Sequence, residues 1–137
     1  MDESEEMVEK IDKTVMQDRT KQEIAQYNRN ITNEKNKLSK IFSESDENVK
    51  KIAAPLIENV SYMKVELANL KKYNIEHGIK EFYMNGKGQF GYKESVESKT
   101  YNTMFKNYMA AIKQLNDMLP KGKTIPADDG FESFGDL

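Results

Sequence analysis

Apolar residues in this chain of 137 residues recur at helical spacing in three long segments. The clearest series is Val49, Ala53, Leu56, Val60, Met63, Leu67 and Leu70, alternately four and three apart. A repeat of 3.5 residues marks a helix that packs lengthwise against another helix. It predicts a helix over 49–70, with Asp46 as its N-cap and Gly78 where a left-handed C-cap is wanted. Pro55 falls inside the pattern, so the helix is expected to kink there or to begin afresh. A second helix is expected over 20–42, where Ile24, Ile31 and Leu38 repeat every seven residues beside Tyr27 and Ile41. The cap-forming run SESDEN separates the two, and so short a loop makes them antiparallel neighbours. Tyr101, Met104, Phe105, Tyr108, Ile112, Leu115, Met118 and Leu119 predict a third helix over 95–119. Ser95 or Glu94 begins it, and Pro120 with Gly122 ends it. Val8, Ile11 and Val15 suggest a short fourth helix near the start.

The pattern changes period between the helix expected over 49–70 and the one expected over 95–119. Residues 79–84 are apolar and aromatic enough for a short strand. Asn85-Gly86 is a strong hairpin signal, and 89–92 can return as a second strand. The expected fold class is all-α: an antiparallel helical hairpin and a long C-terminal helix, linked by a short glycine-rich β-hairpin-like connection. Seams this long exceed what one thin helical hairpin covers, so Leu56, Val60, Met63, Leu67, Tyr108, Ile112 and Leu115 are the candidate oligomerisation residues.

Composition narrows the function. The chain is 32% charged, its mean hydropathy is -0.82, and it contains no cysteine. Disulfides and thiolate metal sites are thereby excluded, and a reducing compartment fits. No run of about 18 apolar residues is present, so no membrane span is expected. The net charge of -2 is segregated. Residues 1–18 sum to -5, residues 19–51 to +3, residues 52–120 to +2 and residues 121–137 to -2. This suggests an acidic N-terminal segment (1–18), a mildly basic helical body (19–120) and a flexible acidic tail (121–137). Arg19, Lys21, Arg29, Lys35, Lys37, Lys40, Lys50 and Lys51 are the candidate phosphate contacts, although on charge alone a solvated helix face is the better account of them.

Gly86, Gly88 and Gly91 are spaced G-x-G-x-x-G, as in phosphate-cradling loops. The context argues otherwise. Lys80 and Glu81 interrupt the strand that a dinucleotide fold needs, and no parallel sheet follows. Lys93 stands where a kinase loop has valine, and no other kinase motif occurs. Lys87 is followed by Gly88, where a P-loop needs Ser or Thr. Glycines that permit positive φ in a tight connection account for the stretch.

Catalytic chemistry is not in evidence elsewhere. His77, the single histidine, suits a helix end better than a base or ligand role. Asp128-Asp129 lies in a segment rich in Pro, Gly and acids, while Asp117 and Glu58 read as helix-face acids. No nucleophile, base and orienter set is found, so no enzyme and no cofactor are expected. Phe131, Phe134 and Leu137 are spaced by three among acids in the tail. Such a segment orders on a partner, or is simply a frayed end.

The segments YMNGKGQFGYKES and YNTMFKNYMAAIKQLNDMLPK resemble the terminase small subunits of tailed bacteriophages, in particular a family from phages of Gram-positive bacteria. That family carries an N-G-x-x-Q-x-G connection, a K-x-S helix start, and a helix of the form Y-N-x-M-x-K-N-Y, I-K-Q-L and L-L-P. The matching residues are Asn85, Gly86, Gln89, Gly91, Lys93 and Ser95, then Tyr101, Asn102, Met104, Lys106, Asn107, Tyr108, Ile112, Lys113, Gln114, Leu115, Leu119 and Pro120. LIENVSYMKVELANL resembles the preceding helix, so about half the chain is covered. Val96 stands where the family often has proline. The resemblance implies a non-enzymatic packaging factor in the host cytoplasm. Such a factor binds double-stranded viral DNA, forms a homo-oligomeric ring and regulates the large subunit's ATPase and nuclease. It would make Phe131, Phe134 and Leu137 a docking peptide for that subunit. The alternative is a helical oligomerisation or scaffold protein with no DNA role, which the net charge of -2 favours.

Overall fold

A computed structural model describes residues 18–126. The order of elements is α1 (Lys21–Ile41), α2 (Glu47–His77), β1 (Lys80–Asn85), β2 (Gln89–Glu94) and α3 (Val96–Met118). The expected helix near Val8 and the tail residues Phe131, Phe134 and Leu137 lie outside the described residues. Each helix starts on a side-chain cap. The Thr20 hydroxyl accepts from the Glu23 amide, the Asp46 carboxylate from Val49 and the Ser95 hydroxyl from Ser98. Each cap satisfies one of the orphan amides of a first turn.

Helix α2 spans 31 residues and runs unbroken through Pro55, so no fresh start occurs there. At 1.5 Å per residue it is about 45 Å long, and both other helices pack along it. Glu34 on α1 meets Lys64 on α2, while Phe42 packs near Ala53, so α1 and α2 are antiparallel. Helix α3 folds back along α2 in turn, bringing Leu115 against the Ala53 and Ile57 end. The main apolar cluster is Leu38, Phe42, Ala53, Ile57, Val60, Leu115 and Ile125. Gly78 has φ 78° with ψ 178°, a backbone open mainly to glycine, but this is an extended rather than a left-handed helical cap.

Three sequence expectations change here. First, Val60, Leu67 and Leu115 are sealed inside the single chain, and Leu56, Met63, Tyr108 and Ile112 pack partly buried against the same core. Part of the α2 seam is thus used within the chain, against Leu38 of α1, Phe42 at its C-cap and Leu115 of α3. Second, Ile24 is 47% exposed, while the buried line of α1 runs through Asn30, Glu34 and Leu38. Third, the chain past Pro120 remains part of the fold as far as Ile125. The Ile125 amide donates to Asn116 Oδ1 at 2.8 Å, its side chain is buried, and Lys123 pairs with Glu44 at 2.8 Å.

The strands form a two-stranded antiparallel ribbon with Phe82 opposite Tyr92 and Met84 opposite Phe90. Asn85 pairs with Gln89, which leaves Gly86, Lys87 and Gly88 as the loop. Gly86 and Gly88 have φ of 67° and 71°, which explains their residue type. Gly91 lies within β2, where a Cβ would sit 3.3 Å from the Tyr83 hydroxyl. The loop leads into a strand and does not open a helix, unlike loops that cradle phosphate on the helix N-terminus that follows them.

Candidate nucleic-acid interface

The candidate basic residues divide into three groups. Arg19 is committed to the fold. Its guanidinium donates to both oxygens of Glu66, at 2.8 and 3.0 Å, and lies 4.0 Å from the Tyr27 ring centre. This forked ion pair, stacked on an aromatic face, is a structural clamp between the start of α1 and the middle of α2. The hydrogen bond to Glu66 raises the Arg19 pKa further above its ordinary value. Burial raises that of Tyr27, and the Glu66 charge adds to it.

Lys37 belongs to a second network. Its ammonium lies 3.2 Å from Glu34 Oε1, while Lys64 donates to Glu34 Oε2 at 2.9 Å. Lys64 and Glu34 are withdrawn from solvent, with side chains 3% and 2% exposed. This buried pair lies between α1 and α2 at positions that the sequence presents as ordinary helix-face charges. Glu34 and Lys64 are 30 residues apart. One signal is legible: Glu34 lies four residues before Leu38 and three after Ile31, on the apolar line of α1.

The remaining bases face solvent. Lys21, Arg29, Lys35, Lys40 and Lys51 are exposed and Lys50 is half-buried. Arg29 donates to Gln26 at 2.6 Å, a bond within its own helix. Lys35 and Lys50 come together from different helices, lining one cavity of about 220 Å³ with Ser39, Phe42, Ala54 and Ile57. Lys50 also lies 3.5 Å from Glu47. Two residues on a helix are about 200° apart, so Lys35 and Lys37 point to opposite sides of α1. Lys35 with Lys50 therefore lies on one flank of α1, and Lys37 on the other.

A second cavity of about 440 Å³ opens between α2 and α3, lined by Tyr62, Met63, Lys99, Thr100, Thr103, Met104 and Asn107. His77 ends α2 and packs against Tyr73, ring centres 4.3 Å apart. Among the described residues, no three of His, Cys, Asp and Glu gather as a metal site, and no helix is long and apolar enough to cross a membrane. Comparison with known protein families, curated proteins and solved structures returned no match.

Proposed function

We propose that this chain is the small subunit of a bacteriophage terminase, a non-catalytic factor that binds double-stranded viral DNA and regulates the large subunit's ATPase and nuclease. The observation that carries the reading is the run from Tyr83 to Lys121, whose residues resemble that family. Those residues make a continuous unit here: a ribbon, a Ser95-capped helix and the turn at Pro120. The exposed Lys35 and the half-buried Lys50, presented from adjacent helices, supply phosphate contacts in this reading. Work as a ring in the host cytoplasm, with the tail engaging the large subunit, belongs to the same proposal. The test is a mobility shift on duplex DNA over a salt series, run alongside native mass measurement. A retarded complex that weakens steeply with salt supports the reading; no complex at low salt overturns it.

The helical scaffold reading without DNA gains from one observation. Arg19 is held by Glu66, and Lys37 lies beside Glu34, so part of the basic segment is already neutralised. Self-assembly without any DNA shift would favour it.

A further inference from the structure

One face of the ribbon has no counterpart among the described residues. Phe82, Met84, Phe90 and Tyr92 alternate outward on the same side of the two strands and pair directly across them. They are 56%, 71%, 69% and 71% exposed. The rings touch one another, with Phe82 5.8 Å from Phe90 and 5.9 Å from Tyr92 between centres. The opposite face carries Glu81, Asn85, Gln89 and Lys93 around a single aromatic, Tyr83, which faces Gly91; Lys93 lies 3.4 Å from Glu81 and 5.8 Å from the Tyr83 ring centre. This apolar and polar alternation belongs to a sheet with one buried face. Here the ribbon packs mainly on itself, while the chief helix contacts are α1 on α2 and α2 on α3. A lone two-stranded ribbon is marginal in water, so the pattern calls for a covering surface.

We propose that a second copy of this chain covers the Phe82, Met84, Phe90 and Tyr92 face. Area and charge carry the choice of occupant. Large side chains present about 150–250 Å² each, so at these exposures the four leave on the order of 500 Å² per chain. Two copies together would bury about 1,000 Å², the lower bound for a specific protein interface. None of the four residues is charged, and the positions next to them on this face, Lys80 and Glu94, are opposite in sign and directly paired. Like surfaces can meet there without like charges meeting. Among the described residues each strand also keeps one edge unpaired, which a neighbouring ribbon can extend. This deepens the homo-oligomer part of the proposed function but does not depend on DNA binding, so loss of one leaves the other testable.

The experiment is sedimentation analysis of the full chain and its variants. Wild type should assemble at micromolar concentration. Phe90→Asp with Tyr92→Asp should sediment as a monomer, with unchanged helical circular dichroism and thermal midpoint. Gln89→Asp, on the opposite face, should assemble as wild type does. Because the chain has no cysteine, Met84→Cys reports the same face. The introduced thiol should resist maleimide in the assembled protein and react on dilution to monomer. A monomeric wild type overturns the proposal, including one that binds lipid vesicles or an unrelated protein through this face. So does assembly that survives the double substitution, or an introduced thiol that reacts freely in the assembly. If the double variant loses its helical core, the thiol measurement decides.

Discussion

The Lys64 ammonium donates to Glu34 at 2.9 Å from a position almost wholly closed to solvent, and so joins α1 to α2 by a buried charge pair. Desolvating two ions costs about as much as their attraction returns, so the intact pair contributes little net stability. Breaking it from one side is another matter. Lys64→Met should cost about 3–5 kcal/mol, less whatever Lys37 recovers by its own contact with Glu34. Glu34→Leu combined with Lys64→Met should return most of that loss. Urea unfolding of the two singles and the double gives the coupling directly; additive effects would show that the pair does not act as one.

Tyr27 illustrates the opposite balance. Its ring supports Arg19, but its hydroxyl is buried without a properly aligned partner. Asn69 lies near enough to favour the ionised form slightly, without completing that bond. Tyr27→Phe keeps the stacking surface and removes the unpaired group, so stability at neutral pH should stay level or rise by up to about 1 kcal/mol. The pH dependence has a definite sign. Burial raises the Tyr27 pKa in the folded state above its ordinary 10.0. The unfolded chain therefore ionises first, and stability is complete below pH 10 and lost as pH climbs past it. Tyr27→Phe should show a shallower alkaline decline than wild type. Parallel declines would place the alkaline sensitivity on other groups.

The ribbon loop makes a local prediction. Gly86 holds φ 67° in open space, where a Cβ meets nothing but the backbone conformation itself is unfavourable. Gly86→Val should cost about 1–2 kcal/mol, and more for the β-branch. Because the ribbon packs chiefly on itself, the cost should fall on ribbon amide protection more than on the helical core. Neither ATP nor NAD should raise the thermal midpoint of wild type. A clear thermal shift with either would reopen the phosphate-loop reading.

The elements were legible because their local chemistry agrees with their packing. Thr20, Asp46, Ser95 and Asn85-Gly86 announce where chain direction changes, and the structure places boundaries within a few residues of them. Burial was less legible, for one reason. The sequence shows a single apolar seam along α2, whereas two helices flank it, and its other buried line includes Ser61 and Lys64. A hydrophobic period cannot reveal a face whose burial rests on a distant ion pair. The same limit affects the candidate interface. Arg19 reads as a free base until Glu66, 47 residues away, is seen to hold it.

That placement sharpens the expectation for DNA. Phosphate contacts give a linear fall of log affinity with log salt, by about 0.9 for each contact on duplex DNA. Lys35 and Lys50 share one cavity wall and should act together. Replacing both with Gln should flatten the slope by about 1–2 and weaken binding equally on all duplex sequences, since only two of the chain's 21 bases are arginine and guanine reading is chiefly arginine's work. Neutralising Lys35, Lys37 and Lys40 together should also flatten it. Lys37 should contribute least, because it lies beside Glu34 and points away from Lys35. Arg19→Gln is the separating variant. It should lower the thermal midpoint through the lost Glu66 clamp but leave the salt slope alone. Removing residues 1–18, which sum to -5, should tighten binding if that acidic segment competes with DNA for this face. The measurement is fluorescence anisotropy on a mixed-sequence duplex at several salt concentrations for wild type and each of these variants. An unchanged slope in the Lys35, Lys50 variant would remove that flank from the DNA interface. A flattened slope in the Arg19 variant would show that its ion pair with Glu66 opens to meet phosphate.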